Sequence, residues 1–162
     1  MDGIHNSIAS QIQPRWMIRR DLPEVLDCDH LAFPNDPWCE EDYLKRLRIM
    51  NAIGFVADFN ESIIGSMVYE LQKDRLRLLR LSIHPAFQRR QAGRRMVEVL
   101  KTKIVQQKRQ ELCCEVRESN LDAQLFFRAC GLSAVDNIRG WFDDTGEDAI
   151  VFSYQIQLER RR

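Results

Sequence analysis

The sequence contains no apolar run of the roughly 18 to 20 residues that a membrane-spanning helix needs. The start, Met1–Gln13, lacks the charged and then apolar pattern of a signal peptide. The five cysteines are an odd number without C-x-x-C spacing, which argues against a disulfide framework and against a structural zinc site. These absences predict a soluble, non-secreted, cytoplasmic protein with reduced thiols, no bound metal and no membrane partner.

Internal repeats and low-complexity linkers are also missing from the chain. Its 162 residues, 44% of them hydrophobic, are enough for one domain with a buried core and too few for two ordinary ones. Residues 1–14 show no hydrophobic period and end at Pro14, so we expect a flexible leader there. We expect a single domain over residues 15–158 and a basic tail over residues 159–162.

Net charge is absent too, since 24 Lys and Arg balance 24 Asp and Glu, but the two signs are unevenly distributed. The segment from Lys73 to Arg109 holds twelve basic residues and only Asp74 and Glu98 as acids, a local excess of +10. The rest of the chain holds the remaining twelve bases and 22 acids, a balance of −10. The basic segment predicts an anionic partner.

Hydrophobic periodicity predicts alternating helices and short strands. In chain order we expect a strand from Trp16, a helix from Asp21 to about Phe33, a helix from Glu40 through Leu47, a hairpin of residues 53–57 and 63–70, a strand over 76–83, a long helix carrying Met96, Val97, Leu100 and Ile104, a strand over 112–116, a helix over 121–130 and an apolar segment over 149–158.

A basic loop joins one of these strands to the long helix. The strand ends at Pro85, and Gln88–Gly93 then leads into the helix. The N–H groups at a helix N-terminus bind pyrophosphate, and flanking arginines add positive charge. For the loop in isolation, a solvated basic turn before an amphipathic helix is the favoured interpretation.

Five motifs occur in a fixed order along the chain. They are Phe33-Pro34 with Pro37-Trp38, Ser82–Pro85, Gln88–Gly93, Glu115–Asn120 followed by Ala123, Phe127 and Gly131, and Gly146–Ala149. The first resembles the F-x-x-P-W motif of the GNAT N-acetyltransferases, and the second resembles their A-V-H-P motif. The third resembles the Q/R-x-x-G-x-G/A motif of the same family. The fourth resembles its E-V-R-x-S-N…A…Y…G-F motif and the fifth its G-x-E-D-A motif. The resemblance covers about residues 16–158 and is closest to the RimI-like branch, the ribosomal-protein-alanine N-acetyltransferases.

The resemblance implies an α/β (α+β) fold with a central mixed, mostly antiparallel, twisted sheet of six or seven strands flanked by about four helices. It also implies acetyl-CoA as cosubstrate and direct transfer of its acetyl group to a primary amine, without an acyl-enzyme. The acceptor would be the N-terminal α-amine of a protein or peptide. The sequence leaves the oligomeric state open.

The resemblance also assigns site residues. Cofactor contacts fall on the backbone of Leu81, Ser82 and Ile83, on the pyrophosphate loop of Arg89, Arg90, Gln91, Ala92, Gly93 and Arg94, and on Asn120. Glu115 matches the general base that takes a proton from the incoming ammonium. Without the motif, Glu115 would be interpreted as a solvated residue at a strand end. Acceptor contacts are expected from Phe33, Trp38, Trp141 and Phe142.

Three positions depart from the family pattern. Gln91 replaces the first signature glycine, which weakens the phosphate loop unless Gln91 adopts an ordinary helical conformation. Phe127 replaces the tyrosine that protonates the departing thiolate, and a phenyl ring has no proton to give. Trp141-Phe142 replaces a pair of tyrosines before the closing strand, which predicts a more apolar acceptor preference.

Alternative interpretations remain at the level of the sequence. Acetylation of a small amine such as a polyamine or an antibiotic fits the same fold, and the changes at Gln91 and Phe127 fit a non-catalytic acetyl-CoA-binding module. A nucleic-acid binder would explain the basic segment but neither Glu115 nor Asn120. His84 is interpreted as structural rather than as a proton relay, and Cys113-Cys114 as packing residues. Phe33 and Trp38 fit either an acceptor groove or the core.

Overall fold

The structure, a computed structural model, describes residues 8–156, so the predicted tail and residues 1–7 of the predicted leader lie outside it. The described residues form a helical turn at residues 8–11, four longer helices and seven strands. The helices are α1 (Leu22–Ala32), α2 (Glu40–Leu47), α3 (Ala92–Gln106) and α4 (Leu121–Ala129). The strands are β1 (Gln13–Trp16), β2 (Ala52–Phe59), β3 (Ser62–Leu71), β4 (Arg75–Ile83), β5 (Glu111–Arg117), β6 (Ser133–Phe142) and β7 (Glu147–Gln155). No helix within residues 8–156 has the length and apolar content to cross a membrane.

The strands form one sheet in the order β1-β2-β3-β4-β5-β7-β6. The pairs β1–β2, β2–β3, β5–β7 and β6–β7 are antiparallel, whereas β4 and β5 are parallel. The mixed, mostly antiparallel sheet and the four longer helices confirm the fold class expected from the sequence.

The chain divides into two compact units, and each is described by itself. The first comprises residues up to 71 together with residues 79–99, and the second comprises residues 72–78 and residues from 100 onward. Strand β4 and helix α3 each contribute residues to both units.

The core of the first unit is built from α1, α2 and the strands β2 and β3. Leu22 and Val25 of α1 and Tyr43 of α2 pack with Val56 and Val68 of the two strands. All five side chains are at most 5% exposed. The apolar positions whose periodicity predicted α1 and α2 therefore lie on the buried faces of these helices.

In the second unit, β4 and β5 begin side by side. Leu76 pairs with Leu112, and the ladder between the two strands reaches Leu78 and Cys114. Strand β5 then pairs with β7 along its whole length. Leu100 and Ile104 of α3 are fully buried, as their helical spacing predicted.

The fold begins earlier than the sequence suggested. Residues 12–14 were expected to belong to a flexible leader, but Ile12 is 2% exposed and β1 starts at Gln13. Pro14 lies inside β1 opposite Ala57 of β2. Because β1 is the edge strand of the sheet, a residue without a backbone N–H is tolerated there.

Strand β6 was not predicted as a separate element. It is the edge strand at the opposite end of the sheet order, and eight of its ten residues are exposed. A strand that is exposed on both faces does not require alternating apolar and polar residues. Hydrophobic periodicity therefore does not predict it. Backbone pairing with β7 defines the strand instead.

A close backbone approach at Gly65 gives a testable constraint. A Cβ atom at this position would lie 2.7 Å from the carbonyl oxygen of Ser82 and 2.7 Å from Cδ1 of Ile83. We expect Gly65→Ala to lower the free energy of unfolding by about 1–3 kcal/mol, because the backbone of β4 must shift. Ser62→Ala, at an exposed position of the same strand, is the matched control. Urea unfolding measures both, and equal midpoints would contradict the expected clash.

Candidate functional site

In the first unit, the end of β4 carries the residues expected to hold the cofactor arm. Leu81 is partly buried, while Ser82 and Ile83 are buried. The Ser82 hydroxyl is directed into the protein, so only its backbone remains for the expected role. Gln88 Nε2 donates to the Ile83 carbonyl at 3.0 Å, which ties the start of the basic loop to the strand end.

The basic loop itself has a left-handed backbone at two positions. Arg89 has φ of 57° and Gln91 has φ of 66°. Gln91 therefore does not have the ordinary helical conformation that would leave the loop unweakened, but adopts the positive φ that glycine favours. The left-handed conformation costs a non-glycine residue roughly 1–2 kcal/mol.

Helix α3 starts directly after this loop, at Ala92. Its first N–H groups have no partner within the helix, as at every helix N-terminus. Arg89, Arg90 and Arg94 are exposed around them, Gly93 is partly buried and Ala92 is 1% exposed. Positive charge, free helical N–H groups and a loop bent by two positive φ angles fit an anionic ligand such as a pyrophosphate.

A buried carboxylate that the sequence analysis did not single out lies behind this strand end. Asp29 of α1 is fully buried and accepts hydrogen bonds from Arg80 Nε at 2.8 Å and Arg80 Nη2 at 2.7 Å. Its other donors are the Ser82 hydroxyl, the Tyr43 hydroxyl at 3.0 Å and the Trp38 backbone N–H at 2.7 Å. Five hydrogen bonds therefore converge on one carboxylate.

The pKa of Asp29 depends on two opposing effects, burial on one side and hydrogen bonds and charge on the other. Burial by itself would raise the pKa of the carboxyl, but the hydrogen bonds from Arg80 and Ser82 and the charge of Arg80 outweigh burial, so the pKa is lowered. Burial next to Asp29 raises the pKa of Tyr43. Asp29 is thus ionised and Tyr43 is a neutral hydrogen-bond donor at neutral pH.

A sequence signal for this cluster existed. Asp29 lies four residues after Val25, which places a charged residue on the apolar face of a predicted helix. Arg80 and Ser82 occupy the same alternating positions of β4 as the buried Leu78. Buried charges are paired in proteins, so opposite charges on two buried faces indicate a partnership.

Phe33 and Trp38, expected to contact the acceptor, both contact Arg80. The guanidinium carbon of Arg80 lies 3.8 Å from the centroid of Phe33 and 5.1 Å from that of Trp38. Arg46 lies 4.1 Å from the centroid of the Trp38 ring. Both rings are partly buried, and Trp38 packs on the core of the first unit. The loop between α1 and α2 is therefore anchored on a buried arginine.

In the second unit, Glu115 lies on β5 and is held by an arginine. Arg77 Nε donates to both carboxylate oxygens, at 2.9 Å and 3.1 Å. The side chains of Arg77 and Glu115 are 24% and 14% exposed. The Arg77 guanidinium carbon also lies 5.6 Å from the centroid of the Trp141 ring. Glu115 is accordingly a largely buried carboxylate held by an arginine rather than a solvated residue at a strand end.

The other family positions of the second unit have defined contacts. Phe127 is 7% exposed and packs against Phe126 and Phe152, with ring centroids 5.1 Å and 6.2 Å away. Asn120 precedes α4, and its side-chain oxygen accepts the Ala123 N–H at 3.1 Å. Asn120 therefore has a helix-capping function, whatever else it contacts.

Arg117 ties the end of β5 to the turn between β6 and β7. It donates to Asp144 at 2.8 Å and to Glu147 at 3.2 Å. Its guanidinium carbon lies 4.0 Å from the centroid of the Phe142 ring. Glu147 also accepts the backbone N–H of Ser119 at 3.2 Å. The turn that carries Phe142 is thus held by charge pairs.

The remaining candidates agree with their structural interpretations. His84 Nδ1 accepts the Ala86 N–H at 3.1 Å, which is a turn-forming contact. Cys113 and Cys114 are both buried, and burial raises the pKa of Cys113 to about 11. The described cysteines are free, and residues 8–156 contain no cluster of three or more potential metal ligands.

The Asp29 cluster predicts a strong effect on stability. We expect Asp29→Asn to lower the free energy of unfolding at pH 7 by about 3–5 kcal/mol, because Arg80 then remains buried without a counter-charge.

The effect depends on pH, because the pKa of Asp29 is lowered in the folded state. The stabilisation by ionised Asp29 is therefore complete above about pH 4 and is lost as the pH falls through the folded-state pKa. The difference from wild type should therefore shrink below about pH 4. Asp27→Asn, exposed on the same helix, is the control in urea unfolding. Equal midpoints for both variants would exclude the predicted role of Asp29.

Several solved structures resemble this chain. The ribosomal-protein-S18-alanine N-acetyltransferase from Escherichia coli is 22% identical with a TM-score of 0.81, over 93% of this chain and 97% of its own. Ard1 from Thermoplasma volcanium is 15% identical with a TM-score of 0.79, over 91% and 99% of the two chains. A GNAT family acetyltransferase from Elizabethkingia anophelis with acetyl-CoA bound is 16% identical with a TM-score of 0.73, over 90% and 99%. No curated protein matches the sequence.

The structural similarities establish the fold, and a family match goes further. Residues 20–132 match the Acetyltransferase (GNAT) family, which is more than half of the chain. This span includes the basic loop, Glu115 and Phe127. The chain therefore belongs to the GNAT family of acetyltransferases and is an acyltransferase.

Proposed function

We propose that this protein transfers the acetyl group of acetyl-CoA to the α-amine at the N-terminus of a protein or peptide in the cytoplasm. The observation that carries the proposal is the loop before α3, with its positive φ angles at Arg89 and Gln91 and its exposed arginines. An anionic cosubstrate suits this loop. The similarity to a ribosomal-protein-S18-alanine N-acetyltransferase supports a protein acceptor.

On the donor side, we assign the pyrophosphate of acetyl-CoA to the backbone N–H groups and side chains of residues 89–94. We assign the pantetheine arm to the backbone of residues 81–83, where a donated N–H would also polarise the thioester carbonyl. Asn120 uses its side-chain oxygen to cap α4, so its amide N–H₂ is the part that remains for the cofactor arm.

On the acceptor side, we assign Glu115 as the group that takes a proton from the ammonium, directly or through water. An amine must lose its proton before its nitrogen lone pair can attack the thioester carbon. Acetyl-CoA supplies the acetyl group in this reaction and leaves as the CoA thiolate. The carboxylate of Glu115 is already fixed by Arg77, so it requires little reorganisation to receive the proton.

Phe127 sets a limit on the chemistry of the leaving group. A buried phenyl ring at this position cannot protonate the thiolate. A thiol with a pKa of about 8.5 is a tolerable leaving group near pH 7, so water suffices as the proton source. The lack of a protonating side chain also favours an α-amine as the acceptor. Its pKa of roughly 7.7–8.0 makes it far easier to deprotonate than lysine, whose pKa is about 10.4.

The acceptor contacts follow from the aromatic residues of each unit. We assign Phe33 and Trp38 in the first unit, and Trp141 and Phe142 in the second, to the acceptor peptide. Trp141 remains 41% exposed, whereas Phe142 is partly buried against Arg117. None of the four carries a hydroxyl group, which predicts an apolar side chain beside the acetylated amine.

An acceptor panel tests this function. We would incubate the protein with acetyl-CoA and with peptides that have a free N-terminus, N-terminally blocked peptides containing lysine, and spermidine, and locate the acetyl group by mass spectrometry. We expect acetylation of the free α-amine only, with kcat lowered at least about 10²-fold by Glu115→Gln. Acetylated spermidine alone would establish the small-amine alternative. Acetyl-CoA binding without any product would establish the non-catalytic module.

Gln91 tests the donor site. We expect Gln91→Gly to bind acetyl-CoA at least as tightly as wild type and to raise the free energy of unfolding by up to about 1 kcal/mol, because glycine adopts the observed φ without strain. Gln91→Ala keeps the strain and serves as the control. Calorimetric titration with acetyl-CoA and urea unfolding provide the two readouts. Affinity lost in both variants would show that the Gln91 side chain, not the loop backbone, binds the cofactor.

A further inference from the structure

Arg77 belongs to none of the five motifs that the sequence shares with its family. It lies on β4 in the second unit, opposite Cys113 in the parallel ladder with β5. Glu115 follows Cys113 by two residues and therefore lies on the same face of the strand. Arg77 thus reaches Glu115 diagonally across two neighbouring strands, and this explains why no local motif contains the pair.

The geometry of the contact is specific. A single nitrogen, Nε of Arg77, donates to both oxygens of Glu115 at 2.9 Å and 3.1 Å. Each carboxylate oxygen has about two acceptor positions, so the contact leaves other lone pairs free to accept a proton. The arginine therefore restricts where the carboxylate points without occupying its whole acceptor capacity.

Trp141 supports the arginine from a third strand. The guanidinium carbon of Arg77 lies 5.6 Å from the centroid of the indole ring, within the range of a cation–π contact. A planar guanidinium can stack on an aromatic ring and hold a carboxylate at the same time, whereas a lysine ammonium has no plane to stack. Glu115, Arg77 and Trp141 thus form a chain of contacts across β5, β4 and β6.

We infer that Arg77 is the positioning residue of Glu115 in the acetyl transfer, and this inference rests on the proposed function. A carboxylate on a strand end can take several rotamers, and only some of them direct an oxygen at the acceptor amine. By holding one of them, Arg77 reduces the reorganisation needed before proton transfer. A misplacement of a catalytic group by about 1 Å can cost 10²-fold in rate. Arg77 acts through Glu115 and does not itself contact the reacting atoms.

A double-mutant cycle tests the inference. We would measure kcat and the KM for acetyl-CoA of wild type, Arg77→Met, Glu115→Gln and the combined variant. We expect Arg77→Met to lower kcat about tenfold with the KM for acetyl-CoA within about twofold of wild type. In the Glu115→Gln background the same change should lower kcat by less than about twofold, since two residues that act together are not additive. Arg77→Lys should restore part of kcat, because it keeps the charge but not the planar group.

Arg75→Met is the matched control. Arg75 lies two residues earlier on the same face of β4, is exposed and hydrogen-bonds Gln72. We expect it to leave kcat within about twofold of wild type. Circular dichroism melting shows whether each variant folds. If Arg77→Met does not fold, the cycle is made with Arg77→Lys, for which the inference also requires a loss of kcat that disappears in the Glu115→Gln background.

The outcomes separate this inference from the proposed function. If Glu115→Gln keeps full activity, the assignment of Glu115 as the base is wrong, and the role of Arg77 falls with it. If Glu115→Gln abolishes turnover but Arg77→Met lowers kcat equally in both backgrounds, the base stands and Arg77 does not act through it. An unchanged kcat for Arg77→Met would also overturn the inference.

Discussion

Asp29 places a full negative charge inside the first unit, and the surrounding structure is arranged to compensate it. An isolated buried carboxylate is very costly, so its burial requires the guanidinium of Arg80 and every hydrogen-bond donor that reaches it. These donors come from α2, β4 and the loop between α1 and α2. One charge therefore fixes the position of three elements. These elements carry Ser82, which we assign to the cosubstrate, and Trp38, which we assign to the acceptor.

The second unit also pairs carboxylates with arginines, but these groups are less buried. Arg77 holds Glu115 between β4 and β5, and Arg117 holds the turn between β6 and β7. The guanidinium carbon of each arginine also lies over an aromatic ring, 5.6 Å from the Trp141 centroid for Arg77 and 4.0 Å from the Phe142 centroid for Arg117. In both units, arginine–aromatic contacts and arginine–carboxylate pairs hold the side chains to which we assign acceptor contacts. Arginine suits this purpose because a planar cation can bind a carboxylate through its edge and a ring through its face.

Two positions, Gln91 and Phe127, depart from the family motifs, and their consequences differ. Gln91 has a positive φ, which glycine adopts without strain and a non-glycine residue adopts at a cost. Phe127 packs into the core of its unit, and its ring offers no hydroxyl. The change at Gln91 therefore strains the loop to which we assign the pyrophosphate, whereas the change at Phe127 leaves water as the proton source in the reaction that we propose.

Amphipathic periodicity and turn residues are local signals, and they were enough to predict the four longer helices and most strands. The resemblance carried by the contiguous motifs around Gln91 and Glu115 implied the family and, with it, the fold class. Strand β6 and the start of the fold before Pro14 were decided by backbone pairing, which leaves no apolar pattern. The sequence places Asp29 and Arg80 on buried faces of their elements, but the contacts of Asp29 with Arg80 and of Arg77 with Glu115 are seen in the folded structure. The partners in these pairs are separated by 51 and 38 residues, and their attraction depends on distances that no local pattern encodes.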